Sequence, residues 1–412
     1  MKKAGKVLAV CLSATMVMGM SIPAAADSKE ELTFWFPPFA GGEGQVSDQT
    51  FWEEMFVPFE EENNCEVTVG IVPWEGYEEK YLSGAASPDG PDVGYMYTEM
   101  MYEYIAEMNA LTDIDGYFTE EEKDNYLYYN LGNVLGGQYA LPVIVGNPSI
   151  LVANMDILNA AGIDAVPTTW DELLAACEAV KNSNPDVYPF LQEWGNSSYG
   201  CLGFNYWPYF WSAGGEITDE EGNLTIDSEA GLKATEFIYS LMESGYMPET
   251  ATSVNSCGDV FRDGRAAMIM VPSGYPLQYT EINWDFSAVL QGPEAAMTYV
   301  AQDSLVLFES CENKELAVKL MKYVTSAEVM GEFYSQIIEQ MPITKDSTFT
   351  GDERYNSLYS DYGDNFLTLP VFKGSATLYD TLLKNLQSMM LGDLTPQEVL
   401  TQTTEYYNNS IR

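Results

Sequence analysis

The chain has 412 residues, with 18 Lys or Arg against 62 Asp or Glu, a net charge of −44 and no histidine. So negative a chain argues against nucleic-acid binding, which needs basic side chains to displace counterions, and disfavours anionic membranes and anionic ligands. Without histidine the commonest general base and metal ligand are missing, so neither a cofactor nor a metal site is expected.

Residues 1–26 read as an export signal. "MKKAGK" is a basic start, Val7 to Ile22 is a mostly apolar run, and Ala24 and Ala26 supply the small residues of a cleavage site near Ala26. The run is shorter than the ~20 apolar residues a membrane span prefers, which disfavours an uncleaved anchor. A lipid anchor at Cys11 is disfavoured because Val10 stands where a small residue is needed. Removal leaves about 386 residues, enough for two domains. Cys65, Cys177, Cys201, Cys257 and Cys311 then remain, an odd number at wide spacings, and read as buried free thiols rather than a disulfide frame or zinc site.

The mature chain alternates strands and helices. "ELTFWF" is a strand, Phe51 to Asn64 a helix, "CEVTVGIV" a strand, Tyr77 to Ala86 a helix and "VGYMY" a strand. That order predicts a parallel sheet covered by helices, with any ligand outside the carboxyl ends of the strands. Thr119 with Glu122, Thr169 with Glu172, and Thr395-Pro396 with Glu398 mark helix starts as capping boxes. "YALPVIV" and "SILVANMDIL", split by Gly146-Asn147-Pro148, resemble a strand crossing from one lobe to another. A helix from Ser228 to Ser244, the strand "AAMIMV", the strand "DSLVLFE", helices from Lys314 and a helical end from about Thr377 complete the chain.

By "PTTWDELL", "SAGGEI", "FRDGRAAM" and the order of its elements, the chain resembles an extracellular solute-binding protein of a bacterial ABC sugar importer, in the family that includes maltose-binding protein. The resemblance covers nearly the whole mature chain. It implies an α/β, two-lobed periplasmic-binding-protein fold, each lobe a mainly parallel sheet flanked by helices, joined by a multi-strand hinge that closes on ligand. The expected lobes are discontinuous: 27–143 plus 300–345, and 146–298 plus 349–412. Crossings fall near Pro142–Gly146, Tyr299–Ala301 and Ile343–Phe349. The implied partners are a small neutral saccharide and the ABC permease membrane subunits, with a monomer that acts outside the cytoplasm, in the periplasm or on the cell surface.

Sugars present flat C–H faces and hydroxyl edges, which suit aromatic faces together with carboxylates and amides. Candidates of those types sit on the expected site-side loops. Glu43 follows the first strand, where the family carries charged ligand contacts. Trp74 follows the second strand and either reaches the cleft or caps the next helix. Tyr97 and Glu99 end the third strand; Glu99 stands where the family has a ligand-binding Asp, although the arginine that can follow is replaced by Met100. Asn147 falls where family members often have an acid, and binds a hydroxyl or makes a turn. "FNYWPYFWSAGG" offers Asn205, Trp207 and Trp211, of which some must pack in the core. Tyr275 stands at a position commonly filled by a stacking aromatic, and Asp303 opens a strand at the cleft mouth.

Two other readings stand beside this one. The same fold could bind a polyamine, a peptide, a metal chelate or another small solute, since polyamines suit acids and aromatics. A secreted carbohydrate-active enzyme would use paired carboxylates, but with 62 acids pairs arise by chance. No catalytic residue is therefore expected.

Overall fold

The computed structural model of the chain describes residues 29–41, 44–87, 90–219, 223–338, 340–348 and 352–411. The expected export segment and the candidate Glu43 lie outside them. The strands described are β1 (Glu30–Phe36), β2 (Cys65–Ile71), β3 (Val93–Tyr97), β4 (Asn133–Val134), β5 (Gly137–Gln138), β6 (Ala140–Gly146), β7 (Ser149–Asn154), β8 (Tyr188–Leu191), β9 (Ala266–Pro272), β10 (Trp284–Ser287), β11 (Thr298–Tyr299), β12 (Ala301–Leu307) and β13 (Phe366–Leu367).

Alternation along β1 sorts its aromatics onto two faces. Phe34 and Phe36 point one way, onto Trp52 of the helix Asp48–Asn63, with ring centroids 5.4 and 4.8 Å away. Trp35 points the other way and meets Tyr81 of the helix Tyr77–Ala85 edge-on at 5.5 Å. The Trp35 indole occupies the space that a Cβ on Gly70 or Gly84 would need. In β1, "TFWF" is thus packing material for two helix layers.

Two main sheets hold the fold together. The first has the order β2-β1-β3-β12-β6 and the second β10-β7-β9-β8. In the first, β2, β1, β3 and β6 run one way and β12 runs against them. In the second, β10, β9 and β8 run one way and β7 runs against them. All strands but one thus share a direction in each sheet, while by pairing the first sheet is evenly mixed and the second has one parallel pair to two antiparallel. The reversed strand was not foreseen, and it has one cause: β7 and β12 each enter their sheet directly after the chain crosses from the other side. The first crossing is Gly146-Asn147-Pro148 between β6 and β7, with Asn147 in the left-handed region at φ 50°. The second is Val300 between β11 and β12. The third expected crossing, Ile343–Phe349, runs out of the described residues after 348.

The helix punctuation is largely as expected. Both groups of the capping box are present at Thr119/Glu122 and at Thr395/Glu398. At Thr169 the hydroxyl accepts from the Glu172 N–H, but the Glu172 carboxylate reaches back to the N–H of Thr168, so that box is displaced by one residue. The five cysteines are free and buried. Among the described residues no helix is long and apolar enough to cross a membrane.

Asp48 shows how the fold sets the first site-side loop. Its two carboxylate oxygens accept the N–H groups of Phe39 and Ala40, each at 2.9 Å. Asp48→Ala leaves two backbone donors without an acceptor, and should lower unfolding free energy by about 1–3 kcal/mol in a urea titration. An unchanged midpoint would show that the loop is held by other means.

Candidate functional site

The strand ends of the two sheets converge on one cavity of ≈ 160 Å³. From the first sheet, the turn after β1 contributes Phe39, the loop after β2 Trp74, and β3 with the single helical turn Thr98–Met100 contributes Tyr95, Tyr97 and Glu99. The reversed strand β12 points its amino end here, which brings Ala301 and Asp303. From the second sheet, the loop after β8 brings Glu193, Asn196 and Ser198, and the turn after β9 brings Tyr275 and Tyr279.

Hydrogen bonds fix the walls. The Tyr95 hydroxyl donates to Asp303 Oδ2 at 2.6 Å, and the Tyr299 hydroxyl to Glu99 Oε1 at 3.3 Å. The Tyr299 ring fills the space where Gly203 has no side chain. Asn147 Oδ1 accepts from the Gly274 N–H at 2.8 Å and faces the Ser273 hydroxyl at 3.4 Å, which fastens the crossing to the turn carrying Tyr275. Trp74 donates its indole N–H to the Pro38 carbonyl at 3.0 Å, and its ring lies 5.1 Å from that of Tyr77. Ser375, at the start of the helix Ser375–Met390, donates to the Glu99 carbonyl at 3.2 Å, so that helix braces the acidic turn.

The two sides of the cavity also touch each other. The Gly76 N–H donates to Ser197 Oγ at 3.1 Å, Ser198 Oγ to Glu78 Oε1 at 2.7 Å, and Arg262 Nη1 to the Gly41 carbonyl at 2.7 Å. The Tyr97 hydroxyl shares the Glu78 carboxylate with Ser198. The sides are closed on one another, with the cavity between them.

Among the described residues three carboxyl groups line this space, and no Lys or Arg does. Burial pushes Glu99 up to about 8, helped by the charge of Asp303. Burial likewise lifts Asp303 to about 7 against the opposing hydrogen bond from Tyr95. Glu193 rises to about 7 by burial, opposed by the Cys257 N–H that it accepts at 3.1 Å.

Of the residues singled out in the sequence, Trp74, Tyr97, Glu99, Asn147, Tyr275 and Asp303 line the cavity. Asn205, Trp207 and Trp211 do not. The segment folds into the six-residue helix Trp207–Ser212, all of it buried. Trp207 is 0 % exposed and packs among Tyr206, Phe210, Trp211 and Tyr379. Asn205 donates its amide to the Glu193 carbonyl at 3.1 Å and so supports the site from behind. Phe39, Tyr95, Glu193, Ser198 and Tyr299 were missed as site residues. Tyr95 was within reach of the sequence, since alternation places it on the same side as Tyr97.

Comparison with known proteins places this geometry in a family context. A model of the family "Bacterial extracellular solute-binding protein" matches residues 43–331. A Brucella abortus (strain 2308) protein, named only as a candidate binding protein, is 25 % identical over 408 residues, covering 94 % of this chain and 95 % of the relative. The arabinooligosaccharide-binding protein of Halalkalibacterium halodurans is 21 % identical over 426 residues, covering 97 % of this chain and 87 % of its own length. Among solved structures, an ABC substrate-binding protein from Listeria monocytogenes in complex with cycloalternan superposes with a TM-score of 0.79 at 19 % identity, covering 93 % of this chain and 99 % of that one.

Two measurements check the site description. Glu99 and Asp303 ionise above their ordinary values of 4.5 and 3.8, so the folded ligand-free protein holds protons that the unfolded chain releases. Stability should therefore fall as pH rises from about 4 to about 8, and Asp303→Asn should flatten that fall in melting scans. A rise over the same range would contradict the burial of these groups. Separately, Trp207→Ala should remove about 3–5 kcal/mol of stability by urea unfolding; a loss below about 1 kcal/mol would return Trp207 to an exposed role.

Proposed function

The chain belongs to the family of bacterial extracellular solute-binding proteins, and from that premise we propose that it captures a saccharide between its two lobes and delivers it to the membrane subunits of an ABC importer. The observation that carries this reading is the cavity itself. Tyr95, Trp74, Phe39, Tyr275 and Tyr299 give it aromatic walls, and Glu99, Asp303, Asn196 and Ser198 give it hydroxyl partners, all at the meeting of two sheets. Aromatic faces take the C–H faces of a sugar ring, and carboxylates and amides take its hydroxyls. The carbohydrates named for the Halalkalibacterium relative and the Listeria structure agree with that chemistry.

On this reading Glu99, Asp303 and Glu193 accept hydrogen bonds and carry out no bond-breaking step. The lobes comprise 27–143 with 300–345, and 146–298 with 349–412, and turn about the three crossings. A ligand that touches Tyr95 and Asp303 on one side and Tyr275 on the other bridges them, and so favours the closed arrangement by its differential affinity. Residues 1–26 direct the chain out of the cytoplasm and are cleaved near Ala26; the mature protein acts as a monomer.

A thermal-shift panel of mono- and oligosaccharides on the mature protein tests the reading. A bound saccharide at a hundredfold excess over its Kd should stabilise the protein by about 2.7 kcal/mol. In Tyr275→Ala the affinity should fall about tenfold or more, equivalent to about 1.4 kcal/mol, while the ligand-free melting temperature stays within a few degrees. No shift with any saccharide, or a shift that survives Tyr275→Ala undiminished, would count against the site.

A further inference from the structure

The cavity has more carboxyl groups than a neutral sugar needs. Glu99 comes from the turn after β3, Asp303 from β12 and Glu193 from the loop after β8, so three separate elements each deliver a carboxyl group to one space. None of the lining residues is basic, and the chain contains no histidine to take up the charge. Glu99 is 2 % and Asp303 8 % exposed. Asp303 uses Oδ2 for the Tyr95 hydroxyl, while Oδ1 has no hydrogen-bond partner among the described residues. Asp303 lines the cavity, so that oxygen is open to a donor that enters.

We infer that the solute bears a protonated amine, and that this cleft selects a basic saccharide, an amino sugar with its amine unsubstituted, over its neutral and acidic counterparts. This rests on the saccharide reading above and narrows it. A hydroxyl offers each carboxyl group one neutral partner and does nothing to offset the cost of ionising it in a buried place. An ammonium offers three donors and the opposite charge, and charge-assisted hydrogen bonds of this kind are shorter and stronger than neutral ones. The aromatic walls add to the same preference, because ring faces attract cations that are stripped of water. The high ionisation points of Glu99 and Asp303 fit a site whose positive partner arrives with the ligand. An acidic sugar would bring a fourth carboxylate into the same space.

Isothermal titration of the mature protein at pH 7 decides the matter. The probes are glucosamine, galactosamine and mannosamine with their short β-1,4 oligomers, each paired with its N-acetylated form and with the neutral sugar, plus spermidine. At least one amine-bearing saccharide should bind ten times or more tightly than both of its counterparts. That preference should shrink to less than threefold in Asp303→Asn, with Glu193→Gln as a second variant and circular dichroism as the check on folding. A neutral sugar that binds as tightly as its amine overturns this inference and leaves the saccharide reading intact. Binding of spermidine with no saccharide bound overturns both. A preference for the amine that persists undiminished in both variants overturns the assignment to these carboxyls.

Discussion

The rest of the structure depends on a covalent constraint: the chain leaves the first sheet at Gly146 and enters the second at Ser149, with only Asn147 and Pro148 between. So short a passage turns the carboxyl end of β6 towards the second sheet and obliges β7 to run against its neighbours. The return through Val300 does the same to β12. The reversed β12 brings Asp303, and β9, paired with the reversed β7, brings the turn carrying Tyr275 to the strand ends of β1, β2 and β3. The left-handed backbone at Asn147 stands where only a few residue types sit comfortably, and its amide oxygen holds the Gly274 N–H. The hinge residue is thus also a support for one wall of the cavity.

Electrostatics follows from that geometry. Once strand ends from two sheets close over one space, any carboxylate they carry loses most of its water, and burial becomes the first cause of its shift. Tyrosine hydroxyls offset part of this at Asp303 and Glu99. Of the contacts across the cleft, those of Ser197 and Arg262 lie on exposed surface and that of Ser198 lies within the cavity wall. Bound solute would then supply contacts that the closed arrangement otherwise lacks.

Much of this was legible in the sequence, for a local reason. The succession β1, helix, β2, helix, β3 announces itself through periodicity and turn residues, and strand ends in such a sheet are where a site forms. Tyr97, Glu99 and Trp74 were found by that rule, and Asp303 by the expected crossing beside it. Trp207 and Trp211 were misjudged because the same aromatic composition serves stacking and core packing; only the packing of Tyr379, from a helix about 170 residues away in sequence, decides between them. Glu193 and Tyr299 escaped notice because nothing near them in sequence marks them. They reach the cavity through contacts with Asn205, Cys257, Gly203 and Glu99 that arise only once the chain has folded.

Capture of solute between two lobes requires that they close upon it. Small-angle X-ray scattering of the mature protein, with and without a saccharide that raises its melting temperature, measures this most directly. A smaller radius of gyration is expected with saccharide bound, together with a scattering curve for that state that fits the closed arrangement. An unchanged radius at saturating saccharide, with binding demonstrated in the same sample, would contradict it.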